Sequence, residues 1–158
     1  MELSSDAIDR NGYFDPRYTC DMDNSSPELR WDGIPDGVKG FAVIAEDPDA
    51  HSGLFTHWQI YNIPAAIKHL PAGIPVQETL PNGIRQGVNS FNKLGYAGPC
   101  PPLGDRPHRY IFRLYALSEL SEMKSRVTRE ELLRTITPFV ISTVEMTGRY
   151  QRLAQKAG

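Results

Sequence analysis

The stretch HRYIFRLYAL, residues 108–117, decides the fold. Its bulky groups recur at every second position, which places Tyr110, Phe112, Leu114 and Ala116 on one face of an extended chain. A period of two over ten residues is a strand with one face on a core. Working outward, GFAVIA (40–45) is an unbroken apolar run between a Pro/Gly turn and an acidic turn, the pattern of a buried strand. THWQIYNI (56–63) alternates polar with bulky groups and adds another strand. GIRQGVNSF (83–91) is a weaker strand pattern, and STVEMTGRYQR (142–152) alternates Val144 and Met146 with Glu145 and Thr147 as a closing one.

Between these runs lie the turn signals IPDGVKG, LPAGIP and LPNG. Thirteen Gly and thirteen Pro in 158 residues favour a turn-rich β fold over a helical bundle. Helix signals come late: in VTREELLRTI (127–136), Thr128 and Glu131 have capping-box spacing, and Pro138 interrupts or ends the helix. The expectation is a mostly β chain, an antiparallel β-sandwich with a few peripheral helices, mainly C-terminal. One domain over residues 1–158 accounts for the pattern, with no repeat or linker.

A net charge of −2 argues against a nucleic-acid partner. No run of about 18 apolar residues is present, which argues against integral membrane association. The opening MELSSDAIDR lacks the apolar stretch of a signal peptide. Two cysteines, Cys20 and Cys100, with no CxxC, do not suggest a disulfide framework. A reducing, cytoplasmic location is the expectation.

Chemistry concentrates in EDPDAHSGLFTHW (46–58), where Glu46, Asp47, Asp49, His51 and His57 lie within one strand-to-loop passage. Such residues suit a metal site, an acid–base pair, a ligand pocket or a plain polar turn, and DPD by itself is common turn chemistry. Glu46 is expected to close a strand or face solvent. His108 opens the strongest strand, directly after the stiff Gly/Pro-rich loop GYAGPCPPLGDRP (95–107), a length and rigidity that favour a functional loop.

Four separated stretches, NSSPELRW (24–31), EDPDA (46–50), THW (56–58) and GYAGPCPPLGDRPHRYIF (95–112), together resemble the phosphatidylethanolamine-binding protein family in its bacterial Raf-kinase-inhibitor-like branch. The ending EMTGRY is similar too. The resemblance implies a sandwich with one small rim pocket for phosphate or a phospholipid head group. Asp47 and Asp49 would line it from the DPD turn, His57 would supply one imidazole, and His108 with Tyr110 the opposite wall. Tyr96, Gly98 and residues 99–102 would form the loop beside it, offering backbone N–H groups. Two positions depart from the family pattern: His51 stands where proline is usual, and Cys100 where a small residue is.

The resemblance implies a regulatory binding protein without cofactor or metal, whose partner is a small anionic ligand such as phosphate or phosphoethanolamine. A protein partner and a homodimer are both compatible with it. Carboxylates in an anion pocket are expected to hold a histidine in its charged form, so that the imidazolium offers N–H to the anion. The alternatives are an Asp/His-dependent hydrolase and a protease or kinase inhibitor. No nucleophile elbow supports the hydrolase, so no catalytic residue is assigned. A metal site from Asp47, Asp49, His51 and His57 matches none of the common spacings.

Overall fold

The computed structural model describes residues 1–153. Residues 154–158, which the expected domain includes, lie outside the described residues. Among the described residues, eight strands form two antiparallel sheets. β1 (Glu2–Ser4), β2 (Leu29–Asp32) and β5 (His69–Leu70) make a small sheet in the order β1-β2-β5. β3 (Gly40–Asp47), β4 (Phe55–Pro64), β6 (Arg85–Gln86), β7 (His108–Leu117) and β8 (Val140–Tyr150) make the larger one, in the order β6-β4-β3-β7-β8. The chain is mostly β, as its periodicity predicts, and β7 spans all ten residues of HRYIFRLYAL.

β3 is buried along its whole length because both of its faces are covered. Phe41, Val43 and Ala45 pack with Leu29, Trp31 and Leu70 of the small sheet, and with Phe112 and Leu114 of β7. Ala42 and Ile44 pack on the other face with Tyr61, Leu132 and Ile136. A strand covered on both sides cannot alternate, hence the continuous apolar run GFAVIA. β8 has a covered neighbour on one side only, and its exposure alternates residue by residue.

Leu132 and Ile136 belong to α1 (Arg129–Ile136), which lies against that second face. Thr128 caps it, its hydroxyl oxygen accepting from the Glu131 backbone N–H at 3.2 Å. Pro138 falls in a single 3-10 turn that leads straight into β8. Among the described residues the expected peripheral helices are α1 and short 3-10 turns, and no helix is long and apolar enough to cross a membrane.

The weak strand pattern at 83–91 yields only Arg85–Gln86. Beyond it, the Asn89 side chain accepts from the backbone N–H groups of Phe91 and Lys93, and Gln59 donates to the Val88 carbonyl. Side chains here satisfy the backbone groups that a ladder would otherwise use.

Two expectations are corrected. Glu46 neither faces solvent nor merely closes β3. It is buried on the helix side, accepting from Arg113 Nη1 at 2.8 Å and from Arg129 Nε at 2.7 Å. The start of α1 brings Arg129 over the end of β3, and a buried carboxylate requires such partners. The cysteines, for their part, are joined: Cys20 and Cys100 form a disulfide across 80 residues of sequence. The contact it closes is already organised, since Cys20 N–H donates to the Pro99 carbonyl at 3.1 Å and Tyr96 hydroxyl to the Tyr18 carbonyl at 2.6 Å.

Two stability changes follow from these contacts. Glu46→Ala leaves two guanidinium groups facing each other and is expected to cost about 3 kcal/mol in urea unfolding. Cys20→Ser releases a loop of such length that the unfolded chain gains entropy worth about 4 kcal/mol. Equal midpoints with and without reductant would contradict the second expectation.

Candidate functional site

The pocket forms where the inner face of the large sheet outruns the small sheet. Along β3 the inward row Phe41, Val43, Ala45 ends in Asp47; along β7 the row Ala116, Leu114, Phe112 ends in Tyr110 and His108. β4 adds His57 through a break in register. Ala45 pairs with Trp58 and Glu46 with Thr56, so His57 has no partner of its own on β3. Such a bulge re-aims a side chain, here bringing His57 into the same cavity as Asp47 and Tyr110.

His57 is held at both ends by one residue. Its ring Nδ1 lies 2.6 Å from the Ala97 carbonyl, and its own carbonyl accepts from the Ala97 N–H at 3.0 Å. A carbonyl only accepts, so Nδ1 carries the proton and Nε2 is left as the acceptor. Burial lowers the His57 pKa and favours the neutral ring; the Ala97 contact opposes this with less effect.

His108 is in the opposite state. Its Nδ1 donates to Asp47 Oδ2 at 2.8 Å and its Nε2 to Asp105 Oδ2 at 3.0 Å. Burial works against its charge, but the two carboxylates outweigh it and raise its pKa. Asp105 is held low in turn by hydrogen bonding from His108 and, less strongly, from His51, whose Nε2 lies 2.7 Å away. Tyr110 stands between the two imidazoles, 5.2 Å from the His57 ring and 6.5 Å from that of His108. Burial, with Asp47 nearby, pushes its phenol upward, so it stays protonated.

Asp47, His57, His108 and Tyr110 therefore line one cavity of about 300 Å³, with the 50–52 turn, Phe55, Phe91 and the 100–102 segment completing the wall. The other expected residues lie around it. Asp49 turns outward, accepting from Arg109 backbone N–H, Nε and Nη2 at 2.9–3.0 Å; that hydrogen bonding lowers its pKa. Tyr96 and Gly98 border a neighbouring hollow of about 610 Å³ that shares Phe91 and Cys100 with the first. Gly98 N–H does not offer itself to a ligand, because it donates to Asn24 Oδ1 at 2.8 Å. No larger residue fits there: a Cβ would lie 2.2 Å from the Tyr18 carbonyl oxygen.

The four-residue metal set Asp47, Asp49, His51 and His57 is not assembled, since Asp49 faces Arg109 and His57 Nδ1 faces Ala97. Among the described residues the group of potential ligand atoms within 4.8 Å of one another is His51, Asp105 and His108. Asp105 was not singled out in the sequence. Its only signal is its place three residues before His108, inside a loop rich in turn formers.

The family described as phosphatidylethanolamine-binding protein matches residues 4–151. The chain belongs to that family. Relatives of similar sequence include a UPF0098 protein of Methanothermobacter thermautotrophicus, 42% identical over 152 residues, covering 96% of this chain and 99% of the relative. A UPF0098 protein of Aquifex aeolicus is 38% identical over 154 residues, covering 96% and 89%. The crystal structure of Escherichia coli YbcL, described as a member of the mammalian PEBP family, superposes with a TM-score of 0.87 at 33% identity, covering 95% of this chain and 97% of that one. A homologue from Chlamydia trachomatis gives 0.84 at 32% identity, covering 95% and 96%.

In this family member the neutral state of His57 has a measurable consequence. A histidine whose folded pKa is depressed contributes stability that is complete above its ordinary value of 6.5 and is lost as pH falls below it. Thermal unfolding of the native chain should therefore lose more midpoint between pH 7 and pH 5 than that of His57→Asn. Parallel curves would show that the ring is not held neutral.

Proposed function

We propose that this chain binds a small phosphate monoester head group, of the phosphoethanolamine type, in the cavity of Asp47, His57, His108 and Tyr110, and that it acts by occupancy rather than turnover. The observation that carries this reading is the convergence of those four groups from the ends of three strands in contrasting protonation states. The Tyr110 hydroxyl can donate to a phosphate oxygen, and His57 Nε2 can accept from a monoprotonated one. His108 contributes charge. Its N–H groups are both committed to carboxylates, so it does not donate to the ligand in the way the sequence reading expected. A ligand ammonium would find the Asp47 carboxylate and the aromatic faces of Phe55 and Phe91 in the same cavity.

Binding without catalysis is supported by the state of Cys100. It is the thiol nearest this chemistry, and in a disulfide it is no nucleophile. A phosphorylated side chain of a protein partner would present the same oxygens as a free head group, which suits a regulatory role. The disulfide also weighs against the cytoplasmic placement, because such bonds persist in oxidising compartments.

The test is a titration of the protein with phosphoethanolamine and with inorganic phosphate, followed by calorimetry and amide chemical shifts. Saturable binding with shifts at residues 47–57 and 108–110 is expected, without release of phosphate. Tyr110→Phe should weaken it by about tenfold, the loss of one hydrogen bond to a charged group. Absence of saturable binding, or shifts confined to the neighbouring hollow, would defeat the assignment.

A further inference from the structure

We propose that His51, Asp105 and His108 form a binding site for one divalent first-row transition ion of the Zn²⁺ class, at the mouth of the head-group cavity. The proposal goes beyond the head-group reading and stands without it.

Three observations carry it. The first is convergence: His51 Nε2 lies 2.7 Å and His108 Nε2 3.0 Å from the same oxygen, Oδ2 of Asp105. The three candidate ligand atoms sit within 4.8 Å of one another, and seating an ion about 2 Å from each requires an adjustment of their positions. His51 can supply it, because its side chain is 70% exposed on the turn closed by Gly53 N–H and the Ala50 carbonyl.

The second is the support behind the ligand. His108 Nδ1 donates to the buried Asp47 at 2.8 Å, which fixes the ring and turns Nε2 towards Asp105 and His51. A carboxylate behind a histidine in this way sets the tautomer and basicity that a metal ligand requires. Asp47 thus acts as a positioning residue, itself steadied by the Asp49 backbone N–H on its other oxygen at 2.7 Å.

The third is the chemistry of the donor set. A bound ion takes Nε2 of His108 while Nδ1–H stays on Asp47. Two imidazoles with one carboxylate favour Zn²⁺ and its neighbours over Ca²⁺ and Mg²⁺, which prefer all-oxygen sites. Three protein ligands leave a fourth position open. His51 and His108 line both the head-group cavity and the outer cleft with Asp105, so the ion sits between the two. No Lys or Arg lines the head-group cavity among the described residues, whereas Arg106, Arg109 and Arg149 line the outer cleft.

The experiment uses the full chain without an affinity tag, stripped with chelator and dialysed against Zn²⁺ in phosphate-free buffer. One ion per chain should be retained, and Co²⁺ in its place should give the visible bands of a four- or five-coordinate site. His51→Ala and Asp105→Asn should each lower Zn²⁺ affinity at least about tenfold, and Asp47→Asn by about 10- to 100-fold. His51 is exposed, so its variant should unfold at the same temperature as the native chain when metal-free, which separates ligand loss from misfolding. Excess Mg²⁺ or Ca²⁺ should leave Zn²⁺ in place. The site is overturned if the native chain retains no ion, if His51→Ala binds as the native chain does, or if Mg²⁺ or Ca²⁺ displaces the ion. Should Zn²⁺ bind while phosphoethanolamine binds neither the loaded nor the stripped protein, the head-group reading fails alone.

Discussion

The antiparallel register of β3 on β7, with Gly40 opposite Leu117 and Glu46 opposite Ile111, is the constraint on which core and pocket both depend. A sheet side chain changes face with every residue, so a slip of one position would exchange the two faces of β3. Phe41, Val43 and Ala45 would then meet α1, Glu46 would enter the cavity, and Asp47 would be stranded against Arg113 and Arg129. The burial of β3 on both faces makes that slip costly, because each face matches a different layer. Packing far from the pocket thereby fixes which carboxylate the pocket contains.

Glu46 and Asp47 show how neighbouring acids acquire different tasks. Both are buried, and a buried carboxylate must be paired. Glu46 is paired with two guanidinium groups, which never give up their charge, and so joins sheet to helix permanently. Asp47 is paired with an imidazole, whose second nitrogen can exchange its partner. The same demand for compensation yields a structural clasp on one face and an adaptable site on the other.

Legibility in the sequence follows this division. Strands came through where one or two faces are uniformly covered: the alternation of 108–117 and the apolar run of 40–45 each report a layer. The helix came through because Thr128, Glu131 and Pro138 mark its ends locally. The expected site residues Asp47, His57, His108 and Tyr110 could be placed in one cavity only through the resemblance of four motifs, since their spacing along the chain shows no period. Hidden from both were features made by contact between distant segments: the Cys20–Cys100 disulfide, the burial of Glu46 under α1, and the approach of Asp105 to His51. His51 looked like an irregularity in the DPD turn because its partner lies some fifty residues away.

The cavity wall also explains why a stiff, proline-rich loop lies beside such a site. Residues 96–100 carry little regular structure, so their position must come from elsewhere. The Tyr96 hydroxyl is anchored on Tyr18, Ala97 exchanges two hydrogen bonds with His57, Gly98 donates to Asn24, and Cys100 is bonded to Cys20. Prolines at 99, 101 and 102 reduce the entropy lost on ordering the loop. Two of these contacts use backbone donors of the wall itself, the N–H groups of Ala97 and Gly98. Under the head-group proposal, Ala97 and Gly98 therefore offer a ligand no backbone donor, and the protonation states of His57, His108 and Tyr110 set which side chains donate and which accept.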